Sequence, residues 1–235
     1  MDSRDSHRIK TLQALRNARP CILPSLLLCD FGNLEREVRR LEDAGVTALH
    51  LDVMDGRFVP NLTYGMPIVE AIRRLTDMVV DVHLMIEDPA KFATAFVNAG
   101  ADAITFHREA VEEPMELLTQ FQEMGVATGL AYNPKTELDA NIELLQKCDL
   151  LLVMSVEAGF GGQAFDPNAL VRINTLRQAL GDQVLLEVDG GINLETIGPA
   201  VAAGVDLIVV GSAIFRQADY SEAVLRLRQA AQVVS

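Results

Sequence analysis

The chain has 235 residues, 49% of them hydrophobic and 23% charged, with 33 acidic against 20 basic side chains and a formal net charge of −13. That apolar fraction excludes a disordered chain, and no apolar run approaches the roughly 20 residues a membrane-spanning helix needs. The negative charge, with no local basic patch to offset it, argues against nucleic acid as a partner.

Residues 1–20 carry Arg4, Arg8, Lys10, Arg16 and Arg19 but lack the apolar stretch of a secretory signal. They read as an N-terminal extension, with a helix over about residues 11–18 lying on a single catalytic domain, residues 21–235. From Cys21 onward, short apolar runs alternate with amphipathic stretches. Strands are predicted over 21–28, 48–54, 79–85, 103–107, 127–132, 150–156, 184–188 and 207–210. Each is near-continuously apolar, as parallel strands covered on both faces are. Gly45, Gly100, Gly125 and Gly204 stand where helices stop and strands begin, the place for a left-handed C′ residue. Eight βα units in about 215 residues, with no linker, predict a closed (β/α)₈ TIM barrel. The alternative, an open doubly wound sheet, calls for a GxGxxG turn after the first strand, and Leu28-Cys29-Asp30-Phe31 offers none. Cys21, Cys29 and Cys148 are too widely spaced for a disulfide framework or a zinc finger, so a reducing, cytoplasmic compartment is expected.

Barrel enzymes carry their sites at the carboxyl ends of the strands. On the second strand His50, Asp52 and Met54 share one face by alternation, and the apolar Leu51 and Val53 take the other. His83 on the third strand and Asp189 on the seventh face inward at matching depth. Any one of these alone reads as a satisfied core polar residue; four on three strands read as a divalent-metal site. The donor set suits Zn²⁺, Fe²⁺, Mn²⁺ or Co²⁺ and does not choose among them. Glycines then cluster on three successive loops: Gly159, Gly161 and Gly162 around Phe160, then Gly190 and Gly191, then Gly211 before Ser212. Such loops let backbone amides approach a phosphate. None of the three carries Lys or Arg, so the amides are expected to hold the anion unaided. Met54, Met85 and Met154 end strands at comparable depth and read either as core filling or as a water-excluding collar. No lysine falls centrally in a strand, which excludes a Schiff-base aldolase.

A metal, two carboxylates and a phosphate grip suit proton removal beside a carbonyl, with the metal as Lewis acid toward an enediolate. Carboxylates on opposite faces of the carbon would invert it, and the acid partner needs a pKa raised by burial. At residues 49–61 (LHLDVMDGRFVPN), 81–85 (DVHLM), 154–157 (MSVE), 159–163 (GFGGQ), 187–191 (EVDGG) and 211–215 (GSAIF) the chain closely resembles the ribulose-phosphate 3-epimerase family. The resemblance runs from about Cys21 to the C-terminus. It implies interconversion of D-ribulose 5-phosphate and D-xylulose 5-phosphate in the pentose phosphate pathway. It also implies that His50, Asp52, His83 and Asp189 are the metal ligands. Asp52 would accept the proton and Asp189 donate one in one direction, with roles reversed in the other. By the same resemblance Ser25 and His83 contact substrate, and Gly159 to Gly162, Gly190, Gly191, Gly211 and Ser212 contact phosphate and sugar.

The chain departs from the family pattern in three places. Ala158 stands where a proline is usual, which frees the loop by about 0.4–1 kcal/mol of chain entropy. Leu28-Cys29 replaces small residues, and the extension has no counterpart in most members. A related allulose-6-phosphate epimerase would look more like Val-Asp-Gly-Ser after the seventh strand, where Gly190-Gly191 favours the pentose enzyme. A metal-dependent hydrolase would want His-x-His on the first strand, where Pro24-Ser25-Leu26 stands. A non-catalytic binding protein would not need every ligand position filled. Apolar helix faces leave a homo-oligomer, dimer or hexamer, as the expected assembly.

Overall fold

The computed structural model describes residues 3–232. Eight strands appear: β1 (Cys21–Pro24), β2 (Ala48–Met54), β3 (Val79–Met85), β4 (Ala103–His107), β5 (Ala127–Tyr132), β6 (Leu150–Met154), β7 (Leu185–Asp189) and β8 (Leu207–Val210). Helix α1 (Ser3–Asn17) precedes them. Between and after them come α2 (Leu34–Asp43), α3 (Met66–Leu75), α4 (Pro89–Asn98), α5 (Pro114–Glu123) and α6 (Ile142–Lys147). The series ends with α7 (Asn168–Leu180), α8 (Ile197–Ala202), α9 (Ser212–Phe215) and α10 (Tyr220–Gln232). All strand pairs are parallel in the order β1-β8-β7-β6-β5-β4-β3-β2, and a parallel bridge from Ser25 to His50 closes the circle. This is the predicted (β/α)₈ barrel. Among the described residues no helix is long and apolar enough to cross a membrane.

Five strands have the predicted limits; β7 is shifted by one residue, and β1 and β6 are shorter than the apolar pattern suggests. The first departure has a local cause. Ser25 Oγ accepts from the Leu27 amide at 3.4 Å and caps a 3₁₀ turn over Leu26–Leu28, so the run bends across the barrel mouth instead of extending. At β6, the Ser155 amide donates to Asp189 O (2.8 Å) and its hydroxyl donates to Gly190 O (2.5 Å), which ties the exit of β6 to that of β7.

Alternation sorts each strand. Leu49, Leu51 and Val53 of β2 and Val80, Val82 and Leu84 of β3 join the large apolar layer between strands and helices. Their neighbours face the barrel axis. Register then aligns the chemistry: His50 pairs with Asp81, Asp52 with His83, Met54 with Met85, and Met154 with Asp189.

Helix α1 is longer than the predicted 11–18. Leu15, 1% exposed, packs with Cys21, Leu23, Ala48, Leu150, Leu185 and Leu207, the axial residues at the amino ends of five strands. The helix therefore covers the end of the barrel opposite the site.

Candidate metal and active site

The structure brings all four predicted ligands together. One donor atom each from His50, Asp52, His83 and Asp189 lies within 4.8 Å of the others. His50 Nε2 is 3.4 Å and His83 Nδ1 3.2 Å from Asp52 Oδ1. Both imidazoles are fully buried and Asp52 nearly so. His50 Nδ1 is 2.7 Å from Asp81 Oδ2 and gives its hydrogen there. Its Nε2 is buried, has no hydrogen-bond partner and faces the cluster. A buried imidazole nitrogen without a hydrogen-bond partner, facing a carboxylate oxygen, is chemically suited to a cation, so the donor set fits a divalent metal.

The field supports the same reading. Burial works against a charged His50, yet Asp52, its hydrogen bonds and the carboxylates beneath it push its pKa well above the ordinary imidazole value. Surroundings that favour positive charge on His50 also favour a cation beside it. Burial lowers His83 to about 4, which keeps it neutral. The two aspartates diverge. Burial opposes ionisation of Asp52, but the charge on neighbouring His50 outweighs it and holds Asp52 well below the usual carboxylate range. Burial, reinforced by the negative Asp52, pushes Asp189 up to about 7.

Above the cluster lies a cavity of about 240 Å³. Ser25, Asp52 and Asp189 line it, with Met54, Met85 and Met154 around them, and Ser25 Oγ donates to Asp52 Oδ2 at 2.5 Å. His50 and His83 lie beneath this surface rather than on it. Met54 and Met85 pack with Val59, Met154 packs with Ala131 and Leu152, and Ala158 touches both groups. Met54 and Met85 thus belong to one apolar cluster and Met154 to another, with Ala158 between them.

The far side of the cavity is made by Gly159, Phe160, Gly161 and Gly162 after β6, Gly190 and Gly191 after β7, and Gly211 and Ser212 after β8. Two kinds of glycine are at work. Gly191 has φ +60°, and a Cβ there would lie 2.5 Å from the Phe165 backbone nitrogen, so the chain path requires glycine. At Gly161 and Gly211 a Cβ would meet only Leu27 or Leu28 side chains, at 3.7 Å or beyond; glycine there leaves room for a ligand.

The loop after β6 is pinned despite lacking a proline. The Ala158 amide, which proline could not supply, donates to Asn133 Oδ1 at 3.1 Å. Asn61 Nδ2 donates to Gly159 O at 2.7 Å, and Gln163 Nε2 donates to the carbonyls of Glu157 and Phe160.

One expectation is corrected. An arginine does reach the glycine loops: Arg216 lines the cavity, its Nη2 3.9 Å from where a Cβ on Gly162 would stand. The single turn of α9 carries Arg216 back over the loops, a step invisible while α9 reads as part of a glycine loop. Sequence reasoning also missed Asp81 and Glu187, fully buried one layer below the ligands; His50 Nδ1 is 3.3 Å from Glu187 Oε1. Burial and the nearby Asp81 push Glu187 up to about 8. The signal was present, since Asp81 and Glu187 stand two residues before His83 and Asp189 and so share their faces. His107, at the end of β4, was missed for want of a metal role; its Nε2 is 2.9 Å from that of His83.

Comparison with known proteins agrees with this geometry. The chain matches the Ribulose-phosphate 3 epimerase family over residues 21–215. The ribulose-phosphate 3-epimerase of Mycobacterium leprae is 44% identical over 219 residues, covering 92% of this chain and 97% of the relative. That of Synechocystis is 44% identical over 212 residues, covering 88% and 92%. Among solved structures, 3-hexulose-6-phosphate synthase from Salmonella typhimurium superposes with a TM-score of 0.70 at 19% identity, covering 92% of this chain and 100% of that one, a likeness of fold alone. On the sequence match across most of its length, the chain belongs to the ribulose-phosphate 3-epimerase family.

Proposed function

We propose that this site interconverts D-ribulose 5-phosphate and D-xylulose 5-phosphate by inverting the configuration at C3, with Asp52 and Asp189 as the two proton-transfer groups. The meeting of these two carboxylates from different strands, beside two imidazoles at the floor of one cavity, carries the reading. Their surroundings differ in the matching direction: His50 favours the anion of Asp52, while burial and the charge of Asp52 favour a proton on Asp189. They come from β2 and β7, far apart in the strand order yet with oxygens within 4.8 Å, which lets them address one carbon from two faces.

His50, His83, Asp52 and Asp189 would hold the divalent ion, with Zn²⁺, Fe²⁺, Mn²⁺ and Co²⁺ all compatible with two imidazoles and two carboxylates. Bound there, the ion supplies Lewis acidity toward the oxygens that flank the reacting carbon. The protein's own groups do the rest. Ser25 holds one Asp52 oxygen through its hydroxyl and leaves the other free to face the cluster. The methionine collar keeps water from the carbon once substrate fills the cavity. The glycine loops and Ser212 offer amides to the phosphate, and Arg216 adds a charge in a chain that is otherwise strongly negative. The three buried, unpaired cysteines suit a reducing cytoplasm.

Incubation of the purified protein with D-ribulose 5-phosphate in D₂O, followed by NMR, tests the proposal. The expected result is D-xylulose 5-phosphate carrying deuterium at C3. No conversion by a preparation replete with divalent cation overturns it, and faster turnover of D-allulose 6-phosphate in a parallel assay reassigns the substrate to the longer sugar.

A further inference from the structure

A line of three side chains leads outward from the ligand cluster. His83 Nε2 and His107 Nε2 are 2.9 Å apart, with ring planes 26° from parallel and centroids 4.9 Å apart, so the rings meet edge to edge and share a single hydrogen. Both are fully buried, so no bulk solvent supplies an alternative partner. His107 Nδ1 is 3.1 Å from Glu109 Oε2. The other oxygen of Glu109 accepts from the Asn133 amide at 2.8 Å and from the Thr136 hydroxyl, which fixes the carboxylate in place.

Donor and acceptor roles follow from these contacts. A carboxylate only accepts, so the hydrogen of His107 belongs on Nδ1 and its Nε2 carries a lone pair. Asn133 Nδ2 lies farther from His107 Nδ1, at 3.4 Å, and its amide is already oriented by the Ala158 hydrogen bond to Oδ1. The charged, closer Glu109 therefore decides the tautomer. The His107 lone pair accepts from Nε2–H of His83, which leaves His83 with a bare lone pair at Nδ1. That nitrogen is the one 3.2 Å from Asp52 Oδ1. Two acceptors facing each other at this distance repel unless a cation stands beside both.

We propose that Glu109 and His107 are positioning residues which fix His83 as its Nε2–H tautomer, so that Nδ1 is offered to the cation. The proposal rests on the metal reading above. Its lever is Glu109→Gln. The Asn133 amide and Thr136 hydroxyl both require an acceptor and will hold the glutamine oxygen, which turns the amide nitrogen toward His107. Every hydrogen in the line then reverses, and His83 carries its hydrogen on Nδ1, where a metal needs the lone pair.

Long-range ¹H–¹⁵N correlation spectra of histidine-labelled, chelator-treated protein report the His83 tautomer directly, and Co²⁺ absorption titrations report affinity without reference to turnover. The expected wild-type result is Nε2–H on His83 with cobalt bound. In Glu109→Gln the hydrogen moves to Nδ1 and cobalt affinity falls by about 10–100-fold, the usual cost of losing a partner behind a metal ligand. A wild-type His83 carrying Nδ1–H overturns the proposal without any variant, as does a Glu109→Gln protein with unchanged tautomer and cobalt affinity. A wild-type Nε2–H tautomer in a protein that takes up no cobalt overturns the metal reading instead.

Discussion

Asp52 and Asp189 share a cluster but not an environment. Asp52 lies beside His50, whose surroundings favour a positive charge, and accepts a hydroxyl hydrogen from Ser25, both of which favour its anion. Asp189 is raised by burial and by the charge of Asp52, against which His50 and the backbone amide after it weigh less. On the proposed scheme one carboxylate is a base and the other an acid at the same pH, the division of labour that inversion at carbon demands. Asp189→Asn removes the acid and leaves the base. Epimerisation should fall by about 10²–10⁴-fold, the usual contribution of a positioned acid or base. Slow exchange of solvent deuterium into a single epimer should persist, because it needs Asp52 alone. Proton NMR follows both, and cation content measured on the same preparation separates loss of a proton donor from loss of a ligand. Near-normal epimerisation by this variant would sink the two-base scheme.

At the scale of elements, the proposed phosphate grip depends on a loop path that only glycine allows. Gly191 must hold φ +60° with the Phe165 backbone nitrogen 2.5 Å from any added Cβ. Left-handed backbone costs a residue with a side chain about 1–2 kcal/mol, and a collision with main chain cannot be relieved by a rotamer change. Gly191→Ala should therefore displace the loop after β6, raising KM tenfold or more while leaving Asp52 and the two histidines in place; steady-state kinetics with an unchanged KM would contradict this. The same elements show what the sequence made legible. Strands β2, β3, β4, β5 and β8 were readable to the residue because a strand covered on both faces is apolar without interruption and ends where polarity returns. Alternation then placed His50, Asp52, His83 and Asp189 on the inner face with no further information. Strand β1 was misjudged because Leu26, Leu27 and Leu28 are apolar for a different reason: they form a turn over the barrel mouth, started by the Ser25 cap. Arg216 and Glu109 were illegible because each reaches the site through a short turn, α9 or a 3₁₀ turn after β4, whose direction no periodicity encodes. Asp81 and Glu187 were legible in principle but have meaning only once the histidine above them is known to need support.

The whole molecule has two ends with different work. The carboxyl end holds the site; the amino end is closed by α1, and three aspartates prepare it. Asp102, Asp149 and Asp206 stand just before β4, β6 and β8 and accept from the amides of Val80, Thr128 and Leu186 on the preceding strands. Each is nearly buried, so each needs a partner for its charge. The N-terminal segment reaches all three: His7 contacts Asp102 at 2.9 Å beside Arg73 at 2.7 Å, Arg8 pairs with Asp149 at 2.5 Å, and Arg19 pairs with Asp206 at 3.1 Å beside Arg177. Leu15 then fills the axis among the first residues of five strands. An extension that supplies Asp149 with its arginine and inserts a buried leucine is part of the core, whatever its position in the sequence. Leu15→Ala should therefore cost about 2–5 kcal/mol, as other buried leucine truncations do. That is a large share of the roughly 5–15 kcal/mol by which domains are stable. Because Leu15 lies at the opposite end of the barrel from Asp52 and Asp189, kcat of the folded fraction should not change. Denaturant unfolding and kinetics on one preparation check both halves. A shift below about 1 kcal/mol would mean that α1 rests on the barrel without closing it, since exposed positions rarely cost more than about 0.5 kcal/mol.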